Sequence, residues 1–278
     1  MHNGKTVQLK KKIDRFRKTV YAYYEKNGRI LPWRETVDPY HILVSEIMLQ
    51  QTQVVRVLSK YSAFIEKFPT IESLVAASLQ EIYSTWQGLG YNRRAIALKK
   101  CAEIVQDSYN SVVPNSVSEL EKLPGIGKAT ASAIAAFAFN EPAVFIETNI
   151  RTVFIHCFFP EKKQVADKEI IPLVAASLDK SDPRNWYYAL MDYGVMLKKT
   201  YPGLNNKSAH YTKQSPFEGS DRQIRGKILK ELNKKPYMTE KGLIAGLNAD
   251  NQRVRTILAR LIKESFITKR DGRFSLAQ

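Results

Sequence analysis

The sequence predicts an all-α protein of many short helices, closed by a small C-terminal α+β unit. Three observations carry this. Apolar residues recur at helical spacing through residues 1–212, with prolines and glycines breaking the pattern at short intervals. An alternating apolar–polar pattern is almost absent before residue 215. One such pattern then runs from Ile267 to Leu276 around Asp271-Gly272, the signature of a two-residue β-hairpin turn.

Composition sets the class. The chain has 278 residues, 44% of them hydrophobic, enough for a large core and two domains. The formal charge is +16, and a basic protein of this size most often meets nucleic acid. From Lys198 to Gln278 there are 18 Lys plus Arg against 7 Asp plus Glu, so most of the excess lies in that tail. The two cysteines, Cys101 and Cys157, sit in apolar helical patterns and read as core residues of a reducing compartment, the cytoplasm, beside the nucleoid. No Cys/His spacing suits a metal, and no apolar run suits a membrane. Nothing signals an oligomer, so a monomer is expected.

In chain order, Ile13, Phe16, Val20 and Tyr24 mark a helix over residues 9–27. Leu31-Pro32-Trp33-Arg34 is extended, because Pro32 disfavours helix at its predecessor. Asp38 caps the next helix and Pro39 opens it; the helix runs to about Gln51 and carries His41, Ser45 and Glu46. Helices are expected at 53–67, 71–77, 79–87, 93–108 and 116–122, then at 129–139, 148–157, 167–178 and 183–198. Residues 202–220 are turn-rich and read as a linker. Beyond it, Ile224, Ile228 and Leu232 mark one helix, Thr239 caps a second, and residues 251–264 form a third ahead of the hairpin. Three helices and a hairpin make a winged-helix pattern over 213–278. Its third helix offers Arg253, Arg255 and Arg260, and its hairpin Lys269, Arg270 and Arg273, all suited to DNA; winged helices also dock proteins.

The stretch from Leu120 to Val153 organises the chain. Leu123-Pro124-Gly125-Ile126-Gly127-Lys128 is a tight turn between two helical patterns. Its two glycines permit positive φ, and the amides of Gly125, Ile126 and Gly127 are expected to face a phosphate at the head of the next helix. A plain interhelical turn has the same pattern. The following helix is apolar on nearly every side, and Glu147 stands after the apolar run Val144-Phe145-Ile146. Taken alone, Glu147 reads as an N-cap or a salt-bridge partner, the usual place of a lone glutamate.

Four ordered segments together resemble the helix-hairpin-helix base-excision DNA glycosylases, in the adenine DNA glycosylase and endonuclease III branch. They are Leu31-Pro32-Trp33-Arg34 with Pro39-Tyr40; Ser45-Glu46-Ile47-Met48-Leu49-Gln50-Gln51-Thr52; Gly88-Leu89-Gly90-Tyr91; and Leu123-Pro124-Gly125-Ile126-Gly127 with Thr130-Ala131. Met191-Asp192-Tyr193-Gly194 is a later echo. The resemblance implies a fold of two helical lobes over residues 1–212, a partner in double-stranded DNA, and a base flipped out of the stack. It implies that Glu46 protonates a purine ring nitrogen, a glutamate that thymine-removing relatives generally lack. It implies that Gln50, Gln51 and Tyr91 contact DNA, and that Lys128 meets a phosphate. Lyase-type members carry a lysine where this chain has Ala129, so a monofunctional enzyme is expected.

The chain also departs from the branch. Glu147 stands where the family has aspartate, with Asn149 retained as its partner; the implied role is to stabilise the sugar cation. The four-cysteine iron–sulfur motif, Cys-x6-Cys-x2-Cys-x5-Cys, should begin near Lys198, where no cysteines follow, so no cofactor is expected. Lys198, Lys199 and Lys207 are expected to supply DNA-facing charge instead. Asn92 replaces a second aromatic after Tyr91. The winged unit stands where the adenine enzymes carry a domain reading 8-oxoguanine. Two alternatives stay open: a thymine or uracil mismatch glycosylase, and a non-catalytic damage-binding protein.

Overall fold

The computed structural model describes residues 2–213, 215–247 and 249–277, with side chains from residue 7 onward. Helices come first: α1 (His2–Asn27), a 3-10 turn (Pro32–Arg34), α2 (Pro39–Leu49), α3 (Val54–Lys67), α4 (Ile71–Ala76), α5 (Leu79–Trp86) and α6 (Arg93–Tyr109). There follow α7 (Val117–Leu120), α8 (Lys128–Phe139), α9 (Thr148–Phe158), α10 (Asp167–Ser177) and α11 (Pro183–Thr200). After a 3-10 turn (Leu204–Lys207) come α12 (Asp221–Lys234), β1 (Met238–Thr239), α13 (Glu240–Ala245), α14 (Asn251–Lys263), β2 (Ile267–Arg270) and β3 (Arg273–Leu276). The chain divides into two compact units. The first joins the residues up to Ile47 with Val113–Thr212; the second joins Met48–Val112 with the residues from Lys213 on.

In the first unit α11 packs on α9, α1 and α8. Trp186 and Tyr187 of α11 are fully buried, and Phe16 of α1 meets Phe154, Phe158 and Trp186 edge-on. Each such ring stabilises the fold by about 1.5–3 kcal/mol through burial. Helix ends are closed by side chains. Asp38 accepts from the Tyr40 and His41 amides at the head of α2, and Asp182 caps α11 ahead of Pro183. Arg184 donates to the Phe137 and Ala138 carbonyls, satisfying the C-terminal acceptors of α8.

In the second unit α4 packs on α6 and α3 on α5. Thr70 with Ser73, and Ser78 with Glu81, form capping boxes at the heads of α4 and α5. The C-terminal residues form an antiparallel sheet of order β1-β3-β2 with helices α12 to α14. Asp271 (φ 48°) and Gly272 (φ 73°) make the hairpin turn, and both need the left-handed region, which selects Asp-Gly. Ile228, Leu229, Val254 and Leu261 centre the core of this part; Tyr83 of α5 belongs to the same core.

The structure differs from expectation in four places in the fold. Pro32–Arg34 form a 3-10 turn, and only Leu31 before them is extended. The first helix begins at His2 rather than residue 9. The proposed linker is structured at its start: the Val165 amide donates to Lys207 O, the Ala209 amide donates to Val165 O, and Thr152 hydrogen-bonds Asn205. Those paired backbone groups tie residues up to Thr212 into the first unit. Two-residue β1 has no periodicity to read and passed unnoticed in the sequence.

Candidate active site

The hairpin between α7 and α8 is built on three buried anchors, Leu120, Leu123 and Ile126. The Lys122 and Leu123 amides donate to Glu119 O and Leu120 O, and Gly125 turns the chain at φ 80°. Two expectations need correcting here. Gly127 is extended at φ −92° and serves as the α8 N-cap, so positive φ is needed at Gly125 alone. The Ile126 amide donates to Leu123 O at 3.2 Å, so it closes the turn instead of facing outward. A Cβ at Gly127 would meet nothing within 4 Å, so an incoming group can approach that backbone closely. Gly125, Gly127, Lys128 and Ala129 are exposed, while α8 beyond Ala131 is almost wholly buried.

Glu147 caps α9. Its Oε1 accepts from the Asn149 amide (2.7 Å) and the Ile150 amide (2.9 Å), and its Oε2 accepts from Asn149 Nδ2 (3.1 Å). The amides at a helix head favour a negative charge there. The cap reading of this residue holds, and Asn149 fixes its carboxylate in place. Lys198 of α11 is half-buried; burial lowers its ammonium pKa, and the charge of Glu147 pushes it back up.

Glu46 is half-buried on α2, between the buried runs Ile42, Leu43, Val44, Ser45 and Ile47, Met48. Burial pushes its carboxyl up to about 8, the charge of Glu147 adds to the rise, and Arg34 partly offsets it. The two acids, a hundred residues apart in sequence, thus act on each other within one unit. The raised pKa favours the protonated form of Glu46 near neutral pH, and the charge of Glu147 acts on it in the same direction as burial.

A buried ion cluster supports this pair. Arg34 forks onto Asp192 (Nη1 to Oδ2 and Nη2 to Oδ1, each 2.9 Å), and Arg29 adds its Nε (2.6 Å) and its amide (2.8 Å). The Arg34 guanidinium also lies 4.4 Å over the Tyr188 ring. Burial alone would raise the Asp192 carboxyl; the bonds and charge of Arg34, helped by Arg29, outweigh it and hold the pKa low. Neither Arg34 nor Asp192 was given a role from the sequence, although both stand in the motifs quoted there.

In the second unit the structure brings Gln50, Gln51 and Tyr91 onto one support. Gln51 (φ 53°) turns the chain after α2, and Gly88, Gly90 and Tyr91 (φ 100°, 72° and 45°) shape the loop before α6. Buried Arg94 ties the two together. It donates to Met48 O (2.7 Å), Thr52 Oγ1 (2.8 Å) and Gly90 O (3.1 Å), and its charge lies over the Trp86 and Tyr91 rings. Burial lowers the Arg94 pKa to about 10. Sequence reasoning missed Arg94. The signal was an arginine in register with Leu98, Cys101 and Val105 on the buried face of α6.

Several basic residues of the C-terminal part are engaged. Arg253 and Arg260 pair with Asp221, and Arg255 with Glu240. Lys269 lies 5.2 Å over the Phe274 ring, and Arg270 faces Arg273 across the hairpin. Lys207 donates to Pro160 O (2.7 Å), which accounts for one of the lysines expected to face DNA.

Comparison with known proteins decides the family. Residues 44–172 match the HhH-GPD superfamily base excision DNA repair protein model. The adenine DNA glycosylase of Mycolicibacterium smegmatis is 34% identical over 276 residues, covering 92% of this chain and 94% of that protein. The chain belongs to the HhH-GPD superfamily of base excision DNA repair proteins. A solved thermostable thymine-DNA glycosylase is 28% identical, with a TM-score of 0.60 over 67% of this chain and 87% of its own. A non-covalent endonuclease III–DNA complex shares the fold at 19% identity, with a TM-score of 0.57 over 88% of this chain and 98% of that one. The α7–α8 turn, Glu46 and Glu147 all fall within the matched residues 44–172, and the turn and both acids lie in the first unit. Among the described residues no helix is long and apolar enough to cross a membrane, and no cluster of His, Cys, Asp and Glu could hold a metal ion.

Proposed function

We propose that the protein is a monofunctional adenine DNA glycosylase, acting on a nucleotide swung out of double-stranded DNA and working as a monomer beside the nucleoid. The observation that carries this is the Glu46 carboxyl, raised to about 8 next to Glu147. An adenine leaves poorly as an anion. Glu46 donates its proton to a ring nitrogen of the purine, and the electrons of the breaking C1′–N9 bond pass into the now neutral base. The sugar is left as an oxocarbenium-like cation. Glu147, held by Asn149 and the head of α9, supplies the opposing negative charge. Water then adds to C1′, and a proton returns to the carboxyl pair. Exposed Ala129 at the head of α8 has no amine to form a Schiff base, which supports hydrolysis alone.

The amides of Gly125 and Gly127, with Lys128, receive a backbone phosphate beside the flipped nucleotide. Gln50, Gln51 and Tyr91 fill and read the gap in the duplex, and Lys269 and Arg270 add backbone contacts. No cofactor takes part. An iron–sulfur cluster of this branch needs four thiolates; the chain has two cysteines, Cys101 buried in α6 and Cys157 in α9, which lie in different units.

A thymine mismatch reading has one observation in its favour, the likeness to the thymine-DNA glycosylase structure. The identity to adenine enzymes over nearly the whole chain and the acid at Glu46 weigh more. One panel tests both. Labelled duplexes with A opposite 8-oxoguanine, A opposite G, and T or U opposite G are incubated with protein and then treated with hot alkali. Scission of the adenine strands only after alkali is expected. Scission of thymine strands overturns the substrate, borohydride trapping overturns the monofunctional assignment, and tight binding without scission returns the damage-binding alternative.

A further inference from the structure

The loop that presents Tyr91 is held from the C-terminal part of the chain. Three of its residues, Gly88, Gly90 and Tyr91, have positive φ, a conformation that costs a tyrosine about 1–2 kcal/mol. A loop in that state keeps its shape only if its surroundings hold it. Arg222 of α12 donates from Nη1 to the Tyr91 hydroxyl at 3.2 Å. The same guanidinium is fixed by Ser215, with Nη2 on its carbonyl oxygen at 2.7 Å and on its hydroxyl at 3.3 Å. The next two residues are held likewise. Asn92 Nδ2 donates to the Tyr83 hydroxyl, and the Tyr83 ring belongs to the core built by Ile228, Leu229 and Leu261. Arg93 pairs with Glu264, which also binds Arg225 at 2.6 Å. Tyr91, Asn92 and Arg93 thus each end on residues from 213 onward or on a side chain in their core.

The charges of α14 point to the same role. A winged helix that reads DNA through its third helix needs arginines turned to the groove. Here Arg253, Arg255 and Arg260 are all turned to carboxylates of the same part of the chain.

We propose that Arg222 is a positioning residue for Tyr91, and that the C-terminal α+β part acts in the reaction by holding the base-reading loop. The inference rests on Tyr91 contacting DNA, as set out under the proposed function. Arg222 itself touches neither the base nor the sugar; it sets where the Tyr91 ring stands.

The test uses the full chain and two duplexes, one with a tetrahydrofuran abasic analogue opposite G and one fully matched. Affinity for each is measured for wild type, Arg222→Ala, Arg222→Lys, Tyr91→Phe and Arg222→Ala with Tyr91→Phe. Arg222→Ala should lower the preference for the abasic duplex about tenfold, the size of one charged hydrogen bond, with matched-duplex affinity unchanged. Arg222→Lys, which still donates to the hydroxyl, should recover much of the preference. Tyr91→Phe should reproduce the loss, and the double variant should add nothing to it. Equal losses on both duplexes would make Arg222 a phosphate contact and overturn the proposal, as would additive losses. Tyr91→Phe removes one oxygen and keeps the fold, so retained preference in that variant also overturns it if Arg222→Ala does not fold. Wild-type protein with no preference and no base release sinks the proposed function and this inference together; wild-type base release with an unchanged Arg222→Ala sinks this inference alone.

Discussion

Gly194 of α11 lies against Asn149 of α9, so closely that a Cβ at Gly194 would stand 2.5 Å from the Asn149 carbonyl oxygen and 2.8 Å from its Cβ. The first turn of α9, which Glu147 caps, therefore rests directly on α11. Gly194 is helical and its φ is ordinary, so helix propensity alone would favour alanine there by about 1 kcal/mol. The contact reverses the sign. Gly194→Ala should destabilise the protein by about 1–3 kcal/mol in denaturant titration and slow base release by displacing Asn149 and Glu147. A variant as stable as wild type with full activity would show that the two helices separate freely.

On the proposed mechanism the Glu46 carboxyl, raised to about 8, sets the pH dependence. An acid works only while protonated, so single-turnover base release should hold through neutral pH and fall as pH rises through about 8. Glu46→Gln should abolish release and leave DNA binding intact. Stability follows the same proton. A folded-state pKa above the unfolded value gives stability that is present at low pH and lost as pH climbs through the folded value. Glu46→Gln has no charge to bury, so its melting temperature should exceed that of wild type at pH 9 and converge with it near pH 4. A constant difference across that range would mean that Glu46 ionises normally.

Local signals in the sequence place most of this architecture. Asp38 with Pro39, Thr239, and Asp271-Gly272 each fix an element boundary through hydrogen bonds or φ that few residues supply, and the structure has them there. The Glu46 and Glu147 sites are legible only through the motifs around them, because an acid on a helix and an acid before a helix are ordinary alone. What stayed hidden is long-range or backbone-directed. Arg34 and Asp192 are 158 residues apart. Arg94 bonds mainly to carbonyl oxygens, which every residue possesses, so no partner type marks it. The Ile126 amide is turned inward by the geometry of its own turn, which sequence spacing does not specify.

The Arg34–Asp192 pair gives a prediction with two readouts. Only 1% of the Asp192 side chain and 6% of that of Arg34 are exposed, so removing the carboxylate strands a buried guanidinium. Asp192→Asn should cost about 3–5 kcal/mol in denaturant titration. It should also move the pH limb of base release downward. Arg34 already lowers the Glu46 pKa, and with Asp192 neutral its charge is no longer offset. Unchanged stability together with an unchanged limb would detach this cluster from the site.

Glu147 is one methylene longer than the aspartate of the resembled branch, and its three accepted bonds say what shortening it does. Aspartate is itself among the best N-cap residues, so Glu147→Asp should keep the head of α9 intact, with stability within about 1 kcal/mol of wild type. Its carboxylate keeps the charge that the proposed mechanism places against the sugar cation, so base release should be retained or faster. Glu147→Gln separates cap from charge: its amide oxygen can still accept from the Asn149 and Ile150 amides, while the anion is gone. Release should then fall by at least about a hundredfold, the scale lost with an electrostatic stabiliser of a transition state. The Glu46 limb should shift to lower pH, because the Glu147 charge is one of the two influences that raise it. A dead Glu147→Asp beside an active Glu147→Gln would invert the assignment, leaving Glu147 as a cap fitted to its own length and the cation to another group.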